Sequence, residues 1–301
     1  MASLKDIRLR IDSTKNTQQI TKAMKLVSAA KLRRAQHNIT NMRPYAVTLK
    51  KVIANIAATQ KVSHPLMSQS DVNSTSVGTD NKAKKVLLVV LTSDRGLCGG
   101  FNTNIIKFTE KYKQDHTASL EKLDFIFIGK RGLDYFSKRN VAPVESFLKL
   151  DKEISYSLAK NIAEKLIKYF LDGSYDEIRL VYNEFKSAIS QIVVCETLLP
   201  VAIENSSFDV EGNQFSKDII FDPSPEAIIE ELLKKHFNLQ VYRAMSESVA
   251  SEHGARMSAM ENATNNAKEM INKLTLTYNK LRQEKITTEL TEIVSGAEAL
   301  K

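Results

Sequence analysis

The chain has 301 residues, a formal net charge of +8 and two cysteines, and 43% of its residues are hydrophobic. This length suffices for one large or two modest domains, but no apolar run reaches the roughly 18 residues that predict a membrane span. The N-terminus lacks the apolar stretch of a secretory signal, so we expect a cytosolic chain with reduced thiols rather than disulfides.

The N-terminal segment, residues 1–60, is predicted to form one long helix because it contains no glycine and its apolar residues recur at gaps of three and four. Its twelve Lys or Arg residues face only two acids, a local charge of +10. So few acids cannot offset the repulsion, which favours a polyanionic partner (nucleic acid, a membrane surface or an acidic protein) over a solvated face. The predicted seam, with phase breaks, runs through Leu4, Ile7, Ile11, Ile20, Met24, Val27, Ala35, Ile39, Met42, Ala46, Leu49, Ile53 and Ile56.

Residues 61–85 are rich in Ser, Thr, Asn, Asp and Lys and predict a flexible connector. Strands and helices then alternate through residues 86–222, which predicts an α/β domain with a small, open, mostly parallel sheet and flanking helices. The last two strands are joined by a short link and can pair differently. The predicted strands are Val86–Thr92, Asp124–Ile128, Val141–Phe147, Ile178–Phe185 and Ile192–Leu198, and the predicted helices are Asn102–Lys113, Arg131–Lys138 and Tyr156–Leu171.

A glycine-rich segment, Ser93–Asn102, follows the first of these strands and opens a helix. Backbone amides at such a turn can hold a phosphate, but the segment lacks the ending of a P-loop and does not fit GxGxxG. The pattern favours a structural turn made possible by Gly96, Gly99 and Gly100, with phosphate binding as the alternative. Cys98 has no assignable general base, and the five histidines are scattered, so we predict no catalytic, metal or cofactor site.

The C-terminal segment, residues 223–301, has no proline after Pro225 and predicts a second long helix packed antiparallel on the first as a coiled coil. Positions 226–301 exceed positions 3–60 by 18 residues, about 27 Å of helix. Because this unpaired end is apolar on one face, we expect another protein to cover it. The predicted seam contains Met260, Ala263, Ala267, Met270, Leu274, Tyr278 and Leu281, then, after a one-residue slip, Ile286, Leu290, Ile293, Ala297 and Leu300.

Four segments, in this order along the chain, resemble the gamma subunits of bacterial F-type ATP synthases: Ile20–Leu32, Ser93–Asn102, Ala255–Thr264 and Tyr278–Ala297. The resemblance implies a single-copy rotor subunit whose coiled coil lies inside a hexamer of alpha and beta subunits. Its foot, with the epsilon subunit, would sit on the membrane c-ring at the cytoplasmic face of the bacterial inner membrane. It would transmit rotation that couples proton transport to ATP synthesis, while the nucleotide sites belong to its partners.

The same resemblance implies residue roles. Met24, Lys22 and Lys25 match positions facing the acidic lever loop of beta, and Arg256, Gln283 and Thr287 match further contacts with the hexamer. An apical bearing would be formed by Ile286, Leu290, Ile293, Val294, Ala297 and Leu300. For each residue the alternative is coiled-coil packing or a solvated face. The resemblance implies no nucleic-acid partner, yet the residues themselves leave open a nucleic-acid-binding coiled coil and a small phosphate-binding enzyme.

Overall fold

The computed structural model describes residues 3–60, 65–68, 84–117, 119–148, 154–188, 190–202 and 224–299. The chain begins and ends in long helices, α1 (Leu4–Gln60) and α5 (Pro225–Ala299). Between them lie α2 (Phe101–His116), α3 (Lys130–Ser137) and α4 (Tyr156–Leu171). The strands are β1 (Met67–Ser68), β2 (Lys84–Leu91), β3 (Leu120–Ile128), β4 (Glu145–Phe147), β5 (Glu177–Phe185), β6 (Gln191–Leu199) and β7 (Val201–Ala202).

The central sheet has the strand order β4-β3-β2-β5-β6. Its first four strands are parallel, and β6 is antiparallel to β5. This confirms the predicted mostly parallel sheet with a different pairing at its last strand. The strand predicted over Val141–Phe147 was wrong in its first half, because only Glu145–Phe147 pairs with β3. Pro143 lies in that half, and proline has no N–H to donate to a strand ladder.

Both faces of the central sheet are covered by helices. On one face Leu88 and Val90 pack with residues of α2 and α3, and on the other Leu87, Val89 and Leu91 pack with residues of α4 and α5. All five side chains are buried. A strand covered on both faces needs apolar residues at every position, which is why β2 is an unbroken Val and Leu run from Val86 to Leu91.

The chain forms two compact units, Met1–Ala30 with Arg256–Lys301, and Lys31–Ala255, so both long helices contribute to each unit. In the second unit α1 and α5 share an apolar cluster of Met42, Leu49, Ile53, Ile56, Ile229, Leu233 and Leu239. The connector predicted at 61–85 lies mostly outside the described residues, and the division into segments 1–60, 61–85, 86–222 and 223–301 stays a prediction. No helix in the described residues combines the length and apolar character needed to cross a membrane.

Within the second unit the part of α5 from residue 236 to residue 255 is enclosed on every side. None of residues 236–255 is exposed. Phe237, Val241 and Ala244 pack into the sheet cluster, whereas Leu239 packs with α1. Polar residues buried on such a helix are stabilised by hydrogen bonds and ion pairs, and the partners that lie on the sheet determine how the sheet domain is attached.

Candidate functional site

In the first unit α1 and α5 run antiparallel, as predicted. The hydroxyl oxygens of Thr21 and Thr264 lie 2.8 Å apart, and Lys25 Nζ lies 2.7 Å from Glu261 Oε1. The residue number on α5 therefore falls as the number on α1 rises. The threonine contact lies on the seam between the helices, and the Lys25–Glu261 ion pair lies at its edge.

The seam of α1 in this unit follows an unbroken alternation of three- and four-residue gaps. The prediction that Ile20 and Val27 lie on it was wrong, because these side chains are 60% and 58% exposed. Thr21 and Ser28 occupy the seam instead and are buried. The phase breaks were inferred because polar residues were not counted as seam positions. The seam positions, all buried or half-buried, are Leu4, Ile7, Ile11, Thr14, Gln18, Thr21, Lys25 and Ser28, and Met24 and Ala29 beside them are half-buried too.

The seam of α5 needs one similar correction. Met270 was predicted on it but is 54% exposed, although its sulfur lies 4.0 Å from Thr14 Oγ1. Ile271 is half-buried in its place. With this change the helix keeps the same three-four alternation that favours lengthwise packing. The seam positions are Met260, Thr264, Ala267, Ile271, Leu274, Tyr278 and Leu281, and the predicted Ala263, next to Thr264, is half-buried as well.

The end of α5 extends beyond the start of α1. Counting equal numbers of residues in both directions from the Thr21–Thr264 contact places Leu4 level with Leu281. Helix α5 continues to Ala299, so 18 residues lie beyond that level. Every side chain from 282 to 298 is exposed.

The apolar face of this end is not a continuation of the seam. Continued seam spacing would fall on Lys285, Thr288, Glu292 and Ser295, which are polar. The apolar residues come one position later at Ile286 and Ile293 and two positions later at Leu290, Val294 and Ala297, a rotation of about 100° to 200° around the helix. This face is therefore directed away from the side that packs on α1. Ile286, Leu290, Ile293 and Val294 are 48%, 58%, 68% and 59% exposed, Ala297 is exposed too, and Leu300 lies outside the described residues.

The predicted contact residues on the paired helices differ in exposure. Met24 and Lys25 are half-buried, and Lys22 is exposed. Arg256 is buried to 8% exposure. Burial next to the seam gives Met24 and Arg256 a packing role, whereas the Lys22 ammonium stays accessible to an anionic partner.

Gln283 and Thr287 are not brought together with Met24. Both are exposed and lie beyond the level of Leu4, and the Thr287 hydroxyl donates to the Gln283 carbonyl at 2.9 Å. In the described structure they therefore belong to the uncovered end of α5.

An outward apolar surface on α1 was missed by the sequence analysis. Ile20, Leu26 and Val27 are 58–64% exposed and lie in the same two turns as Lys22. Ile20 and Val27 are seven residues apart, so they share one helix face. The seven-residue spacing of Ile20 and Val27 does indicate a shared helix face, but the sequence analysis assigned that face to the seam.

Polar groups of the glycine-rich turn form hydrogen bonds with one another. Asn102 Oδ1 accepts from Ser93 N at 3.0 Å, and Asn102 Nδ2 donates to Cys98 Sγ at 3.2 Å. Leu97 and Gly99 have φ angles of 62° and 56°, a left-handed backbone that suits glycine and costs energy at leucine. The Cys98 side chain is buried. These contacts support the structural-turn interpretation.

The other two glycines of this turn lie where space is short or a helix begins. A Cβ on Gly96 would lie 3.1 Å from Arg131 Nη2. Gly100 immediately precedes α2. In the described residues no group of three His, Cys, Asp or Glu side chains could hold a metal ion.

The fold defines a structural class in which the two ends of a chain form an antiparallel coiled coil and the middle forms an α/β sheet domain. The family described as ATP synthase matches residues 3–300. The ATP synthase gamma chain of Bdellovibrio bacteriovorus is 66% identical over 304 residues, with both chains covered in full. The gamma chain of Geobacter sp. is 46% identical over 302 residues, again covering both in full.

Two solved structures of ATP synthases are similar to this chain. The central stalk and c-ring structure of Tetrahymena thermophila mitochondrial ATP synthase matches with a TM-score of 0.60 and 26% identity, over 81% of this chain and 99% of that one. A Euglena gracilis mitochondrial ATP synthase structure matches in fold with a TM-score of 0.68 and 24% identity, over 99% and 94% of the two chains. The chain belongs to the ATP synthase gamma chain family.

Proposed function

We propose that this chain is the central rotor subunit of a bacterial ATP synthase. It transmits rotation between the proton-driven c-ring and the alpha and beta subunits, and it has no catalytic or nucleotide site of its own. The observation that carries the proposal is the uncovered end of α5, residues 282–298, whose apolar face is turned away from α1. The family membership and the likeness to the central stalk of Tetrahymena mitochondrial ATP synthase support it.

The uncovered end forms the apical bearing in this proposal. Complete burial of a Leu or Ile side chain stabilises a contact by about 1.5 to 3 kcal/mol. Leu290 and Ile293 are more than half exposed, so a sleeve of apolar residues from the alpha and beta subunits would gain most of that energy. An axle needs contacts that tolerate turning, and apolar contacts are non-directional.

The pushing contact lies on α1 near Met24. Lys22 is exposed and lies four residues before the exposed Leu26, on the same face of the helix, so this surface offers a positive charge together with apolar area. An acidic lever loop of beta would be attracted to this helix, because residues 1–60 carry a charge of +10. Lys25 is partly neutralised by Glu261, which makes Lys22 the more available cation.

The remaining expected contacts follow the family. Arg256 supports the Met24 region, and Gln283 and Thr287 meet the hexamer at the base of the bearing. The sheet domain of the second unit contacts the epsilon subunit and the c-ring. One copy per complex would sit at the cytoplasmic face of the inner membrane as a peripheral subunit.

Copurification tests the proposal directly. A tagged chain expressed from its own locus should bring down the alpha, beta and epsilon subunits in a complex that holds one copy of it. A chain that elutes alone as a monomer, in cells whose ATP synthase survives its deletion, contradicts the proposal. Salt-dependent binding of the chain to duplex DNA would instead favour the nucleic-acid alternative, and nucleotide binding by the isolated chain would favour the enzyme.

A further inference from the structure

Helix α5 is joined to the sheet through one fully buried asparagine. The Ser251 hydroxyl donates to the Asn183 carbonyl oxygen at 2.9 Å. The Asn183 side-chain amide donates to the Phe101 carbonyl oxygen at 3.2 Å. Ser251 and Asn183 are 0% and 1% exposed. Asn183 of β5 therefore links α5 to the first residue of α2, directly after the glycine-rich turn.

A second contact lies one turn further along α5. A Cβ on Gly254 would lie 3.3 Å from Ala188 Cα and 3.3 Å from Phe185 Cε2. These distances are tighter than ordinary packing, so an added Cβ would require the helix or the turn after β5 to shift by a few tenths of an ångström, and a larger side chain would require more. The glycine is thus needed for close approach of helix and sheet, since its φ is not in the left-handed region.

A third contact lies two turns before Ser251. Arg243 Nη2 lies 2.6 Å from Glu196 Oε2 of β6, and Arg243 Nη1 lies 3.3 Å from the Tyr182 hydroxyl of β5. The Tyr182 hydroxyl donates to the same Glu196 oxygen at 3.0 Å. A guanidinium fork held by a carboxylate and a phenol fixes orientation as well as distance.

These contacts lie at separate levels over about 16 Å of helix. One contact would let the sheet pivot about it, whereas contacts at several levels resist both pivoting and sliding. Close-packed interfaces of this kind are also poorly compressible. Opening the interface would break the Ser251–Asn183 hydrogen bond and the Arg243–Glu196 ion pair together, which opposes a hinge at this place.

We infer that Arg243, Ser251 and Gly254 form a permanently closed clamp through which torque passes from the sheet domain into α5, with Asn183 as its positioning residue. The inference rests on the proposed rotor function. It assigns the glycine-rich turn to the same clamp, because Asn183 binds the carbonyl that ends that turn.

A bulky side chain at Gly254 tests whether the clamp must stay closed during turnover. Gly254→Leu forces the helix and the turn after β5 apart, because an added Cβ already lies 3.3 Å from Ala188 Cα. Ala227→Leu adds the same side chain at an exposed position of the same helix and serves as the control. Complexes of both variants that retain alpha and beta are assayed in membranes for ATP-driven proton pumping and ATP hydrolysis, and we expect the ratio of pumping to hydrolysis to fall in Gly254→Leu only. A wild-type ratio in Gly254→Leu overturns the clamp, since torque would then pass through an opened interface.

A weakening variant provides the second measurement. Ser251→Ala removes the hydroxyl that holds Asn183, and Ser248→Ala makes the same change at another buried serine of α5. Loss of one buried hydrogen bond should raise deuterium uptake around residue 183 about fivefold in Ser251→Ala. The pumping ratio should fall in this variant and not in the control. Equal ratios in the two variants contradict the clamp, whereas a wild-type chain that fails to copurify with alpha and beta contradicts the proposed function itself.

Discussion

Thr21 of α1 and Thr264 of α5 join hydroxyl to hydroxyl at 2.8 Å on the seam of the helical pair. Each hydroxyl also lies within hydrogen-bond distance of a carbonyl of its own helix, Gln18 O at 3.0 Å and Met260 O at 2.7 Å. Two protons can serve only two of these three contacts at once. A polar pair on a coiled-coil seam costs stability and favours one alignment of the helices.

Substitution of the two threonines should reveal this coupling. We expect Thr21→Val and Thr264→Val each to weaken the pairing by about 0.5 to 1 kcal/mol, because each leaves the other hydroxyl without its cross-helix partner. The double variant should lose less than both single losses combined, with a coupling of about 0.5 kcal/mol or more. Deuterium uptake of residues 14–28 measures all three variants. Strictly additive losses would show that the hydroxyls do not interact.

Gly129 should be intolerant of any side chain. Its φ is 105°, and a Cβ there would lie 2.0 Å from the Thr92 carbonyl oxygen. We expect Gly129→Ala to destabilise the chain by about 3 kcal/mol or more. Gly173 is the matched control, because its φ is +67° but no atom lies within 4 Å of the added Cβ. Gly173→Ala should cost only about 1 to 2 kcal/mol in urea unfolding, and equal losses at the two glycines would contradict the contact with Thr92.

His236 should make stability depend on acid pH. Burial, followed by the charges of Lys50 and Arg243, lowers the pKa of His236 to about 4. The unfolded chain binds this proton below pH about 6.5, but the folded chain does not bind it until about pH 4. The stabilisation that neutral His236 provides to the folded chain is therefore fully present above pH about 6.5. It is lost as the pH falls from about 6.5 to about 4, which lowers the free energy of unfolding by about 3 kcal/mol.

The variant His236→Gln isolates this effect, since other titrating groups are common to both chains. Urea unfolding from pH 7.5 to 4 should show the wild-type chain losing more stability than the variant only below about pH 6.5. Parallel curves over the whole range would mean that His236 titrates equally in the folded and unfolded chains.

Introducing a charge at the uncovered end of α5 should have a large effect only in the complex with the alpha and beta subunits. Leu290→Asp and Ile293→Asp alter side chains that are 58% and 68% exposed, so the free chain should change by no more than about 0.5 kcal/mol. Inside an apolar sleeve the same charges would be desolvated, and recovery of alpha and beta subunits should fall. Thr288→Asp is the control, because Thr288 lies off the apolar face. Unchanged recovery of alpha and beta subunits with Leu290→Asp and Ile293→Asp would contradict the proposal that this end of α5 is the apical bearing.

The spacing of apolar residues predicted the helices and strands well wherever burial or the absence of helix-breaking residues determined the structure. The central strands were recognised because β2 is buried on both faces, and α1 and α5 because few residues interrupt them. The 18-residue excess of the C-terminal helix was also predicted correctly. In contrast, Ile20 and Val27 were misassigned, since hydropathy ranks them above Thr21 and Ser28, which hold the seam by their position in the repeat.

The clamp residues could not be predicted in the same way. Asn183, Ser251 and Gly254 are distant in sequence or lie in a helix with no visible periodic role. Their importance comes from contacts that exist only after β5, α2 and α5 have packed. Gly254 gave a weak signal as one of two glycines after Pro225, but a lone glycine in a helix does not identify its neighbour.

Rotation of the chain during ATP hydrolysis tests the central claim most directly. The alpha and beta subunits are fixed to a surface, and a marker is attached to a cysteine introduced at Lys107, an exposed residue of α2, after Cys98 and Cys195 are replaced. We predict continuous rotation in one direction that stops when ATP is withdrawn. Complexes that hydrolyse ATP while the marker stays still would contradict the account.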